Sequence, residues 1–128
     1  MDNIKWVNAL GIMSGASMDG AEFSLIKTDG IDVYEVYKNQ KFLYPEDLKK
    51  LIRKASANLS EENIVEADEI FTSFILKAFD EFMTDVDEKI DIIGFEGHTI
   101  RFEPENHCIV QIGDAQTISN HFKPYYFF

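Results

Sequence analysis

The feature that most restricts the fold is a change of hydrophobic period partway along the chain. Before residue 38, apolar and polar residues alternate in short runs bounded by glycine. From residue 46 onward, apolar residues recur at spacings of three and four. Ile64, Ala67, Phe71, Phe74, Ile75, Ala78, Phe79 and Phe82 hold that spacing without a break. A period of two is a half-buried strand, and a period near 3.6 is an amphipathic helix. A chain that carries both in sequence is an α/β fold.

The elements follow from this pattern. Residues 5–13 read as a buried strand that runs into a glycine-rich loop. Residues 21–27 alternate, with Phe23 and Leu25 on one face and Glu22 and Ser24 on the other. Thr28-Asp29-Gly30 is a hairpin signal, because glycine adopts positive φ without steric cost. Residues 31–38 continue as a third strand, which completes an antiparallel three-strand meander. Pro45, Glu46 and Asp47 suit the start of a helix over 46–57 with Leu48, Leu51, Ile52 and Ala55 inward. Ser60 is the expected N-cap of the long helix that follows. A strand over Lys89–Phe95 comes next. Residues 99–103 and 107–112 are expected to pair around Pro104-Glu105-Asn106. A short helix from Asp114 to about His121 closes the pattern. The four aromatics Tyr125–Phe128 are expected to be exposed or to fold back as a cover, with the sheet short of at least one strand.

Composition narrows the class. Twelve Lys and Arg against 23 Asp and Glu give a net charge of −11 over 128 residues. That balance argues against nucleic acid as partner, which needs a basic footprint. No apolar run approaches the roughly 18–20 residues of a membrane span. The N-terminus carries no secretory pattern, so a cytoplasmic location is expected. Eleven Phe, five Tyr and one Trp exceed what a solvated tail carries. A lone Cys108 allows no internal disulfide and reads as a small core residue. His107 and His121 have no partner at metal-ligand spacing.

Two segments carry chemistry. The first is Met13-Ser14-Gly15-Ala16-Ser17-Met18-Asp19-Gly20, between two strands. Small residues let a tight turn aim several backbone N–H groups at one anion. The Ser14 and Ser17 hydroxyls can add to that cradle. Asp19 suits it only beside a divalent cation, or as a turn-former. The loop is neither a Walker loop nor GxGxxG, and a plain Gly/Ser hairpin loop is the alternative. In the second segment, Gly94 and Gly97 bracket Glu96 directly after a strand, where open α/β folds expose ligand groups. His98, Thr99, Arg101 and Asp114 offer hydrogen bonds to sugar hydroxyls or a carboxylate. Each has a plain alternative: a surface turn for His98, pairing with Glu103 for Arg101, a helix cap for Asp114.

Together the segments resemble a known family. Leu10-Gly11-Ile12-Met13-Ser14-Gly15-Ala16-Ser17-Met18-Asp19-Gly20 is similar to the opening motif of the anhydro-N-acetylmuramic acid kinases. Ile92-Ile93-Gly94-Phe95-Glu96-Gly97-His98-Thr99-Ile100-Arg101 and Gln111-Ile112-Gly113-Asp114 are similar to its next two motifs, in order and spacing. The resemblance covers residues 5–121. It implies an actin-like sugar-kinase fold of two ribonuclease-H-like lobes, of which residues 1–128 would be an incomplete N-terminal lobe with the second lobe absent. It implies an ATP- and magnesium-dependent enzyme of cell-wall (peptidoglycan) amino-sugar recycling, in which water opens the 1,6-anhydro ring while the γ-phosphate moves to O6. Ser14, Gly15, Ala16, Ser17, Met18, Asp19, Gly20, Ala21 and Glu22 would hold the nucleotide phosphates, with Asp19 toward the metal. Gly97, His98, Thr99, Arg101 and Asp114 would line the sugar side. The general base would lie in the missing half, so no catalytic residue is expected here.

Four positions depart from the family pattern. Thr is usual where Ala16 stands, Asp where Glu22 stands, and His-Gly-Gln-Thr where Glu96-Gly97-His98-Thr99 stands. A lost hydrogen bond to a charged group costs about 1.5–3 kcal/mol. The expected partners are therefore ATP, an anhydro-muramic sugar, a separately encoded C-terminal half and a second copy in a homodimer. Activity of this chain by itself is not expected. The alternative is a non-catalytic remnant, or an acidic interaction or carbohydrate-binding module.

Overall fold

The computed structural model describes residues 5–14, 19–103, 105, 108–113, 117, 120, 121, 126 and 127. For 101–103, 108, 109, 126 and 127 it describes the backbone alone. Strands β1 (Val7–Ser14), β2 (Gly20–Thr28) and β3 (Val33–Leu43) form the expected antiparallel meander. Helices α1 (Glu46–Ala57) and α2 (Glu61–Phe82) follow, with one 3₁₀ turn at Met83–Asp85. Strand β4 (Ile92–Glu96) then returns parallel to β1. Strands β5 (His98–Glu103) and β6 (Cys108–Ile112) pair with each other as a separate antiparallel hairpin, as expected. The main sheet has the order β3-β2-β1-β4-β7.

Strand β7 (Tyr126–Phe127) corrects one expectation. The stretch Tyr126–Phe127 is paired strand rather than loose chain. Its backbone adds to the sheet edge, parallel to β4 at Ile92 and Ile93. This gives the sheet a fifth strand, though one of only two residues.

Local chemistry explains most boundaries. The β2–β3 turn is held by Asp29, whose Oδ1 accepts from the N–H groups of Ile31 and Asp32, both at 2.8 Å. Those bonds favour the ionised carboxyl and hold its pKa below the usual range. Gly30 sits at φ +93°. Ser60 caps α2 as expected, accepting from the Asn63 N–H at 3.1 Å. Strand β3 starts later and runs longer than its alternation implies, ending at Leu43. After two register shifts opposite Leu25–Thr28, unbroken pairing with β2 down to Gly20↔Leu43 carries it through the polar run Lys38–Lys41. Strand β4 starts at Ile92 rather than Lys89. Asn8 and Asp91 set its register. The Asn8 N–H donates to Asp91 Oδ2 at 2.8 Å, its side-chain amide donates to Lys89 O at 2.7 Å, and the Asp91 N–H donates back to Asn8 O at 2.8 Å.

The core lies between one sheet face and the helices. Leu10, Ile12, Phe23 and Leu25 are buried on alternate positions of β1 and β2. Ala67, Phe71, Ile75, Ala78, Phe79 and Phe82 of α2 are buried too. Phe23 packs its ring against Phe42 and Phe82, at centroid distances of 5.1 and 5.6 Å. The phenylalanine stripe is therefore core, with Phe74 only partly covered. Each such ring contributes about 1.5–3 kcal/mol by burial before entropy. No described helix is long and apolar enough to cross a membrane.

Candidate functional site

The parallel pairing of β1 with β4 brings the two chemistry-bearing segments to the same end of the sheet. The register runs from Ala9↔Ile92 to Met13↔Glu96. One step further, Ser14 ends β1 and the chain turns at Gly97 into His98. The two segments are thus neighbours in space because they leave adjacent parallel strands at their C-terminal ends. That is where α/β sheets place ligands.

Gly97 is required there by space. A Cβ on it would lie 2.6 Å from the Ile112 carbonyl oxygen. Gly20 meets the same demand on the other side, because a Cβ there would collide with the Phe42 carbonyl. Both glycines let a strand begin hard against its neighbour.

Three polar side chains meet between these glycines. The Ser14 hydroxyl is hydrogen-bonded to the Tyr44 hydroxyl and, at 2.5 Å, to His98 Nδ1. Tyr44 is 4 % exposed and His98 is 2 % exposed, while Ser14 is half-buried. The rings of Tyr44 and Phe71 pack against the imidazole at 6.0 and 5.9 Å. Burial lowers the His98 pKa, so the ring is neutral at neutral pH. Burial raises the Tyr44 pKa. The bond to Ser14 opposes that rise, and the charge of Asp19 adds to it. Among the described residues, His98 Nε2 is buried with no hydrogen-bond partner. His98 is therefore not the surface turn residue that its neighbourhood in sequence allows.

The rest of the phosphate-loop set divides. Gly15, Ala16, Ser17 and Met18 lie outside the described residues. Asp19 holds the loop's far end: its carbonyl accepts from the Tyr44 N–H at 2.8 Å, and its carboxylate pairs with Lys41 at 2.8 Å. Ala21 is fully buried in the core. Glu22 faces solvent and accepts from Asn39 at 3.1 Å. A single carboxylate such as Asp19 is within what magnesium asks of a protein, since that ion is usually held by one or two carboxylates with phosphates and water completing the shell. Among the described residues no group of three or more His, Cys, Asp or Glu forms a metal site by itself.

Of the residues expected to face a sugar, Thr99 is exposed and accepts from the Gln111 amide at 3.2 Å. Arg101 lies in β5, but its side chain and any pairing with Glu103 fall outside the described residues, as does Asp114. Residues 117, 120 and 121 are helical, in the region of the expected short helix.

Two participants escaped the sequence reading. Tyr44 stands between a strand and Pro45, and an aromatic in that place is the only hint it offers. Asp68 lies mid-helix, yet its Oδ1 accepts from the Gly113 N–H at 2.5 Å and so ties α2 to the third motif. Gly113 has φ +120°, with the Phe95 ring 3.0 Å from where a Cβ would sit.

The sequence also matches known proteins. The sequence model of the family described as "Anhydro-N-acetylmuramic acid kinase" matches residues 7–123. A protein of that name from Rhodopseudomonas palustris (strain HaA2) is 33% identical over 124 residues, covering 88% of this chain and 34% of the relative. Another from Pelagibacter ubique (strain HTCC1062) is 32% identical, covering 91% and 33%. One from Nitrobacter winogradskyi is 34% identical, covering 88% and 34%. The chain thus spans about a third of the length of the curated relatives it matches. With both motif segments inside the matched range and the sheet built as the actin-like sugar-kinase fold requires, the chain belongs to the anhydro-N-acetylmuramic acid kinase family.

Proposed function

We propose that this chain is the phosphate-side part of an ATP-dependent kinase that hydrolytically opens 1,6-anhydro-N-acetylmuramic acid and phosphorylates its O6. The observation that carries this reading is the β1–β4 pairing, which sets Ser14 and the Gly97–Thr99 turn side by side at one end of the sheet. Residues 14–22 would cradle the nucleotide phosphates, Asp19 would hold magnesium, and Gly97, Thr99, Arg101 and Asp114 would face the sugar, with His98 acting from behind Ser14. ATP with magnesium supplies the transferable phosphoryl group and offsets its charge. The chain's own residues bind and orient. Lys41 pairs with Asp19, which lowers the repulsion a phosphate would meet there.

Phosphoryl transfer depends on positioning from both sides of a cleft. Residues 1–128 form one incomplete lobe in this reading, and the second phosphate loop, the adenosine pocket and the general base belong to the remaining two-thirds of the enzyme. Residues 1–128 would need the rest of such an enzyme for turnover, and the enzyme would work in the cytoplasm.

The test is complementation. The chain is mixed with the last two-thirds of an intact relative, labelled ATP and the anhydro-sugar. Labelled sugar phosphate that needs both parts supports the proposal. Absence of turnover in the mixture, with the intact relative active in the same assay, refutes the catalytic reading and leaves a non-catalytic module.

A further inference from the structure

The Tyr44–Ser14–His98 cluster has an arrangement of protons that its own burial decides. Three groups share one oxygen, and each has a donor to place. The Tyr44 hydroxyl is buried, and Ser14 Oγ is the partner the structure gives it. Its proton therefore goes to Ser14. His98 is neutral and carries one N–H, on either Nδ1 or Nε2. If that proton sits on Nε2, it is a buried donor with nothing to receive it. If it sits on Nδ1, it points at Ser14 Oγ across 2.5 Å, and Nε2 keeps only a bare lone pair. Orphaned buried donors are rarer in proteins than under-satisfied acceptors. The second arrangement pairs every buried donor in the cluster.

Both lone pairs of Ser14 Oγ are then occupied, one by Tyr44 and one by His98. Its own proton has a single direction left, away from both. We propose that Tyr44 and His98 are positioning residues that both donate to Ser14 Oγ, and so commit the Ser14 hydroxyl to donate outward to an anionic oxygen such as that of a phosphate. This rests on the reading of residues 14–22 as a phosphate loop, and adds to it that Ser14 is a fixed donor rather than a free rotor. A hydroxyl with both lone pairs taken does not coordinate a cation, so Ser14 takes the anion and leaves any metal to Asp19. The imidazole contacts no ligand itself in this account. Its Nε2 is enclosed, with the rings of Tyr44 and Phe71 packed beside it.

The test uses the 128-residue chain labelled with 15N at histidine, and long-range proton–nitrogen correlation at pH 7.5. The expected result is His98 as the Nδ1–H tautomer. The Nε2–H tautomer, or an imidazolium at that pH, overturns the proposal. A second arm titrates inorganic phosphate and follows the Ser14 and Gly20 amide shifts. Tyr44→Phe and His98→Leu are expected to weaken phosphate binding about tenfold each. His98→Asn, whose amide N–H stands near the Nδ1 position, is expected to recover most of it. Equal binding in wild type and Tyr44→Phe overturns the relay even where His98→Leu fails to fold. The Nδ1–H tautomer with no phosphate response in wild type refutes the outward donor and the phosphate loop together, and is distinct from a failure of the tautomer.

Discussion

Gly97→Ala should destabilise the chain because the added methyl has no room. Its Cβ would lie 2.6 Å from the Ile112 carbonyl oxygen, where ordinary van der Waals contact begins at 3.4 Å. The turn and β6 must therefore part by a few tenths of an ångström or more. The neighbour is backbone, so no side-chain rotation relieves it. Overpacking of this kind costs about 1–3 kcal/mol. Alanine recovers about 0.4–1 kcal/mol by restricting the unfolded chain. The net loss is then about 1–2 kcal/mol, and a chain of this size melts about 4 °C lower per kcal/mol. Gly11→Ala is the matched control. Nothing lies within 4 Å of its Cβ position, and it sits mid-strand in β1. It should be neutral or stabilising by up to about 1 kcal/mol. Urea and thermal unfolding of both variants decide the matter. Gly97→Ala as stable as wild type, or Gly11→Ala the worse of the two, would refute the close-approach argument.

Phe71→Ala should cost about 3–5 kcal/mol, since the ring is fully buried against Tyr44 and His98; equilibrium unfolding measures it, and a loss under 1 kcal/mol would contradict the packing. The His98 pKa is lowered on folding, so the unfolded chain binds the extra proton first and stability rises with pH across that window. Melting temperature should therefore fall as pH drops from about 6.5 toward the depressed folded value, and His98→Asn should flatten that part of the curve. Lys38 donates to the Phe82 carbonyl at 2.6 Å and lies over the Phe82 ring, at the end of a helix whose last turn has no basic residue. Lys38→Ala should thus cost about 1 kcal/mol, in line with a lost cation at a helix C-terminus, and thermal melts will read it.

The sequence reveals local order and hides what distant residues impose. The meander and the long helix were legible because a period of two or of 3.6 is written in each segment by itself. The Ser60 cap and the Asp29-Gly30 turn were legible for the same reason. The second half of β3 was not, because Lys38-Asn39-Gln40-Lys41 has no alternation and owes its strand to β2. Two-residue β7 was not, because its partner lies more than thirty residues away. In the candidate site, the two motif segments were visible, but their meeting depends on the β1–β4 register. The burial of His98 depends on Ser14, 84 positions away. Asp68 carries no signal at all in a helix whose polar face is rich in acids. A single residue type does not disclose a bond made by a loop 45 positions further on.

The most direct test of the account is where magnesium–ATP touches this chain. Amide shifts of the 128-residue protein, recorded against rising magnesium–ATP, should move at Gly11–Ser14, Asp19–Glu22 and Gly94–Thr99. The exposed stretch Val33–Val36 of β3 should stay still. Shifts confined to those two segments, and weakened by Ser14→Ala, are the predicted result. Saturating nucleotide that leaves both segments unmoved, or that acts only elsewhere on the surface, would contradict the claim that they line one wall of the cleft.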